Sequence, residues 1–319
     1  MKHSLNILLL SLFITLSLHA EEMLSRTRML MGTYATVTLP AQHNRQISES
    51  FSLIAKIEHA LSTFDENATL ARLNDEHTVP YDPVLAEALT LSYSYYEETD
   101  GYFDVTIGSI TKDLYRFGTE RPQSPSKTAL KHAKRNIDGF HVGKKHITSD
   151  EGIVIDLGGM GKGYAVDKTA QWLNEQNITQ SIVGLSGDIR CLHTCELYLQ
   201  SPFHEGMFAK VTAKILNLSI STSGTYHRYA TRPEEHHLID PKTATQGKAF
   251  VSVTLFTKAD NARIDAYATA VSVMPKKKAL AFLKEHKEIG YVLVEPDGNI
   301  IKGNLEPLVG CVPTHLHKH

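Results

Sequence analysis

Apolar residues recur along this chain at two spacings, and the changes between them divide it into helical and β segments. Ile47, Phe51, Ile54 and Leu61 are separated by helical steps and form one face of an amphipathic helix. A second stripe, Leu85, Leu89, Tyr93 and Tyr96, predicts a helix over Pro83 to Thr99, with Gly101 just past its end. Val166, Ala170 and Leu173 share a face of a third helix, in which Trp172 reads as a core residue. A long helical pattern begins at Ala259 and is divided at Pro275. Elsewhere the pattern is short and strand-like. Thr33 to Leu39 alternates and stops at Pro40, and residues 137–157 read as short strands. Residues 182–257 are rich in β runs, including Phe208 to Ile220 and Phe250 to Phe256. Tyr291 to Val294 faces Ile300 and Ile301 across the turn formers Pro296 to Asn299. Gly118 to Ser126 reads as a surface loop. Strands grouped apart from helices predict an α+β fold with mixed, largely antiparallel sheets flanked by helices, and disfavour a doubly wound sheet.

The segment from Asp156 to Asp167 (Asp-Leu-Gly-Gly-Met-Gly-Lys-Gly-Tyr-Ala-Val-Asp) couples a strand, a glycine-rich turn, a lysine and a new helix. Such a turn lets backbone approach a ligand closely, and the helix start offers free N–H groups and a positive dipole end to phosphate. Two familiar phosphate motifs fail here. A dinucleotide fingerprint begun at Gly159 meets Tyr164 where it needs glycine, and a P-loop ending at Lys162 meets Asp156. A tight strand-to-helix turn without a ligand is the competing reading. Asp265 and Thr269 stand four apart in a helical pattern, so their oxygens share a face and can hold one hard cation such as Mg2+. The alternative there is Thr269 bonded back to its own helix with Asp265 solvated.

Composition narrows the class. With 42% hydrophobic and 21% charged residues in 319, the chain is globular and has ample core. Its net charge of −2, with no Lys/Arg run that suggests a basic patch, disfavours nucleic acid and anionic membrane as partners. Residues 1–20 place Lys2 and His3 before the apolar run Leu5 to Leu18 and read as a signal peptide, so the chain is expected in the periplasm. Membrane association would arise only through a partner or an uncleaved signal. Export permits disulfides, and Cys191 and Cys195 could bridge at a hairpin tip between strands at Gly187 to Leu192 and Glu196 to Leu199. Cys311 would stay unpaired, near a His-rich tail at 306–319.

Eight further blocks occur in order. They are Met29 to Ala35, Ser62 to Asp65, Leu70 to Asn74, Gly101 to Gly108, Gly187 to Arg190, Ser221 to Gly224, His237 to Thr243 and Asp265 to Ala270. Together with the glycine turn they resemble the ApbE family of FAD:protein FMN transferases over roughly residues 25–305. The resemblance implies one ApbE-like domain over 21–305, with a ligand cleft between two subregions. It implies a magnesium-dependent enzyme that splits FAD, transfers FMN to a threonine or serine hydroxyl of an exported redox protein and releases AMP. An FAD pyrophosphatase breaks the same bond, and a non-catalytic periplasmic flavin-binding protein would need similar contacts.

The same resemblance assigns roles to individual residues. The main-chain carbonyl of Gly159 joins Asp265 and Thr269 as a metal ligand, and Lys162 and Asp265 carry catalysis. His237 is the candidate base, with a structural hydrogen bond as its competing role. Met31, Phe64, Tyr102, Phe103, Asp104, Asp156, Lys162, Thr222, Ser223, His237 and Ile239 fall at cofactor-binding positions, and Asp188 is a further cleft candidate. The chain departs from the family pattern at Ser186 and Ala244, where glycine is expected, and at Gly161, where alanine is frequent.

Overall fold

The structure, a computed structural model, describes residues 22–226 and 228–313. The expected signal peptide and residues 314–319 lie outside the described residues. At the centre is an eight-stranded sheet in the spatial order Met23–Leu30, Thr33–Pro40, Ile182–Leu185, Asp188–Cys191, Leu218–Gly224, Ser252–Lys258, Gly290–Val294 and Ile300–Gly303. Every neighbouring pair is antiparallel.

Period-two alternation sends successive side chains to opposite faces, and here both faces of the middle strands are covered. Val253, Leu255 and Leu293 join a large core with the helices Asn44–Leu61, Pro83–Glu98, Gly161–Glu175 and Asn261–Val273. Phe256, Val292 and Val294 point the other way, into a second core with Phe208 and Val211. That second core lies under a three-stranded sheet, Val309–Pro313, Met207–Ala213 and Glu196–Gln200. With both faces covered, Ser252–Lys258 is buried at every position except Lys258, its threonines and serine included.

Four expectations need correction. In Pro83–Glu98 the buried tyrosine is Tyr95, while Tyr93 is exposed and donates from its hydroxyl to Asp138 (2.7 Å). The core position between Leu89 and Tyr95 is Ser92, whose hydroxyl satisfies itself on the Ala88 carbonyl (2.7 Å). Cys191 and Cys195 are bridged with a Cα separation of 6.2 Å, but not at a hairpin tip: their flanking strands belong to different sheets, which the bridge ties together. Met23–Leu30 is an edge strand that the pattern did not announce. Finally, Val309–Pro313 pairs with Met207–Ala213, so the fold continues beyond the boundary expected at 305.

Candidate functional site

Two helices cross at backbone distance to make the centre of the site. A Cβ on Gly163 would sit 2.6 Å from the Asn261 carbonyl oxygen and 2.8 Å from Cβ of Asp265, so only glycine admits this approach. Asn261 anchors the start of its helix by donating from Nδ2 to the carbonyls of Ile189 and Ile220 (2.9 and 3.0 Å). Asp167 accepts from the Ala262 N–H (2.8 Å) and from Arg190 (2.5 Å), locking the same junction. The helix Gly161–Glu175 has no side-chain cap of its own, and Asp265 supplies one from the neighbouring helix by accepting the Gly163 N–H (3.0 Å).

Around that junction the expected metal residues converge. Thr269 does not bond back to its helix; its hydroxyl points to the Gly159 carbonyl oxygen at 3.4 Å. Asp265 is 3% exposed and uses only Oδ2 toward protein partners, Gly163 and Lys162, leaving Oδ1 without a hydrogen bond among the described residues. A free carboxylate oxygen, a hydroxyl and a carbonyl form the hard-oxygen donor set that suits Mg2+. Among the described residues, no three His, Cys, Asp or Glu side chains cluster to hold a metal.

Lys162 lies between two carboxylates. It donates to Asp188 and stands 3.6 Å from Asp265, and Ser221 donates its hydroxyl to the other oxygen of Asp188 (2.6 Å). One cation facing two anions leaves the pocket negative by one charge. Burial works against the Lys162 charge, but Asp188 and Asp265 outweigh it and raise its pKa. Burial, and next the nearby Asp188 carboxylate, raise the Asp265 carboxyl well above the usual range.

The remaining candidates line up around this centre. Asp156 accepts from Thr111 (2.6 Å) and the Gly158 N–H (3.0 Å), with Lys112 at 3.6 Å. Its burial is outweighed by Lys112, Thr111 and Gly158, which hold its carboxyl below the ordinary value. A π-helical turn, Ser109–Leu114, delivers Thr111 and Lys112, and the Lys112 ammonium also sits 4.1 Å from the ring centre of the exposed Phe64. Phe103 is buried, and its ring edge lies 3.2 Å from where a Gly159 Cβ would be. Met31 has φ +52, a backbone state disfavoured for its side chain, and its N–H is held by Glu58 (2.7 Å). Its methyl approaches Gly161 to 3.8 Å of the Cβ position.

His237 is half-buried and bonds to one residue twice. Its main-chain N–H and its Nδ1 both donate to the Arg228 carbonyl (3.2 and 3.1 Å). A carbonyl only accepts, so Nδ1 carries the proton and Nε2 is left as the acceptor. Loss of solvent, and then the positive charges of Arg228 and Lys162, lower the imidazole to about 4.

Other sequence candidates are less open to a ligand. Asp104 takes both the N–H and the hydroxyl of Thr106 on one oxygen (2.8 and 2.7 Å), and burial raises its carboxyl. Tyr102 is 8% exposed and lies under Lys242 and Lys278. The Ile239 side chain is enclosed with Ile110, Tyr115 and Phe117. Thr222 bonds Thr254 (3.0 Å), whereas the half-buried Ser223 hydroxyl has no partner among the described residues. Sequence reading missed Ser221, Thr111, Lys112 and Arg228. Arg228 is exposed, yet its charge acts on Asp156, Lys162 and His237 together.

This glycine turn, half-buried lysine and oxygen-donor helix sit on a fold shared with solved flavin transferases. The structure overlays on the ApbE protein from Thermotoga maritima with a TM-score of 0.79 (21% identity, 88% of this chain and 97% of that one). It overlays on the flavin transferase ApbE from Vibrio cholerae with a TM-score of 0.76 (21% identity, 90% and 99%). The model of the ApbE family matches residues 31–293, and the chain belongs to that family. Among its relatives, the FAD:protein FMN transferase of Treponema pallidum is 27% identical over 86% of this chain and 85% of that protein. The protein of the same name from Escherichia coli K12 is 25% identical over 91% and 89%.

Proposed function

We propose that the protein transfers FMN from FAD to a threonine or serine hydroxyl of an exported redox protein, releasing AMP, with Mg2+ as the metal. The observation that carries this reading is the convergence of Asp265, Thr269 and the Gly159 carbonyl beside Lys162 on the glycine turn. Those three oxygens would hold the metal, which when bound supplies charge neutralisation to pyrophosphate oxygens. Relatives named for the same transfer across most of their length support the chemistry. The Cys191–Cys195 bridge supports a periplasmic site of action.

In this reading the acceptor oxygen attacks the phosphorus on the FMN side, the bond to the bridging oxygen breaks, and AMP leaves. The new bond is a phosphoester to the protein. Lys162 stabilises negative charge that builds on the phosphoryl oxygens. Nε2 of His237, unprotonated across the neutral range, accepts the hydroxyl proton. Phe64, Phe103 and Met31 offer flat or polarisable surface to the ring systems. Incubation with FAD, Mg2+ and a candidate exported flavoprotein, read by mass spectrometry, should give an acceptor heavier by FMN and free AMP. Rapid release of free FMN and AMP with no acceptor ever labelled would make the protein an FAD pyrophosphatase instead.

A further inference from the structure

Lys162 has two carboxylates within reach and is committed to one. It donates to Asp188, which is fully buried, while Asp265 remains 3.6 Å away. Asp188 is fixed independently of the lysine. It pairs with Leu185 across the two-residue turn Ser186–Gly187, and its second oxygen is held by Ser221. Asp265, in contrast, keeps Oδ1 free of hydrogen bonds among the described residues. Remove the Asp188 charge, and among the described residues the only carboxylate left beside this lysine is Asp265. A direct Lys162–Asp265 pair would occupy that carboxylate and set a positive charge against an incoming dication.

We propose that Asp188 is a positioning residue that holds Lys162 away from Asp265 and so keeps the Asp265 carboxylate available to a divalent cation. The inference rests on the reading that Asp265 and Thr269 take that cation. Asp188 touches neither metal nor substrate in this role. A purely structural Asp188, present only to brace the Ser186–Gly187 turn against Ser221, is the competing account, and the two differ in what removal of the lysine does.

The test is Mn2+ binding to the FAD-free full chain, followed by electron paramagnetic resonance, with thermal unfolding as a check on folding. Asp188→Asn should weaken Mn2+ binding by about tenfold or more, since a unit-charge interaction at contact distance exceeds that even at an effective dielectric of about 20. The double variant Asp188→Asn/Lys162→Met should return to near wild-type affinity, because the competitor for Asp265 is gone. Ser221→Ala, which only loosens Asp188, should weaken binding a few-fold, and it carries the test if Asp188→Asn does not fold. Wild-type affinity in Asp188→Asn or in Ser221→Ala overturns the proposal. So does a double variant that binds as weakly as the single one, which is the structural outcome. A wild-type chain that binds no Mn2+ has a separate signature: the cation reading of Asp265 then fails, and the proposal with it.

Discussion

A methyl group on Gly163 would lie 2.8 Å from Cβ of Asp265, so a residue in the first turn of one helix fixes the carboxylate of the next. Gly163→Ala is expected to force these helices apart at a cost of about 1–3 kcal/mol. Because the same contact sets Asp265, turnover should fall further than the lost stability explains. A melting curve and FAD turnover on one preparation decide it, and wild-type values for both would mean the junction yields freely.

Asp265→Ala should abolish metal-dependent turnover while the chain stays folded, and Asp265→Asn should be nearly as poor. The carboxylate is the only charged donor in the proposed metal set. Undiminished FAD cleavage by the alanine variant would remove the residue from the site.

Lys162→Ala should slow FMN transfer by on the order of 10²-fold if the ammonium acts as an electrostatic donor to the transition state. The loss should appear in kcat more than in FAD affinity. A change confined to KM would reassign the lysine to ground-state binding.

Ser186 and Ala244 have φ +56 and +55, the left-handed region that favours glycine. These are the two positions where the family pattern expects glycine. Ser186→Gly and Ala244→Gly should therefore each stabilise the fold by about 1 kcal/mol through released strain, less the entropy glycine adds to the unfolded chain. Denaturant titration tests this; a lower midpoint for either variant would mean its side chain contributes more than its backbone costs.

Acidification should destabilise the segment around 228–240 in two stages. His237 titrates at about 4 when folded, below an ordinary value near 6.5. The unfolded chain therefore takes up that proton first, and stability falls from about pH 6.5 to about 4. Glu235 is held at about 2: burial opposes its charge, but Arg232, Ser124 and Thr231 outweigh it. Its contribution is complete above its unfolded value near 4.5 and is lost as pH falls toward 2. His237→Gln should remove the upper stage alone, as read by unfolding at a series of pH values.

Local pattern accounted for much of the fold. The stripe Ile47, Phe51, Ile54 and Leu61 is buried as its spacing required, and Pro275 separates Asn261–Val273 from Lys276–Glu285. The pattern failed where a residue's polarity and its position disagree. Ser92 takes a core place because it satisfies its own hydroxyl, and that turned the apparent helix phase toward Tyr93. Met23–Leu30 is largely exposed on both sides, so it had no alternation to display. In the site, Asp265 and Thr269 were legible because a helix fixes residues four apart. Lys162 with Asp188, and Lys112 with Asp156, meet only through tertiary folding. Nothing local to either sequence position announces such a meeting.

The strand order also sets a timetable for assembly. Thr33–Pro40 finds its inner partner only in Ile182–Leu185, where Ala35 pairs with Leu185. Until that distant segment arrives, the first hairpin has an unpaired inner edge along Ala35 to Thr38. Such non-local pairing slows folding and leaves a sticky strand exposed during the wait. The N-terminal hairpin, which carries Met31 at its turn, is thus among the first parts of the chain to be synthesised and among the last that can dock.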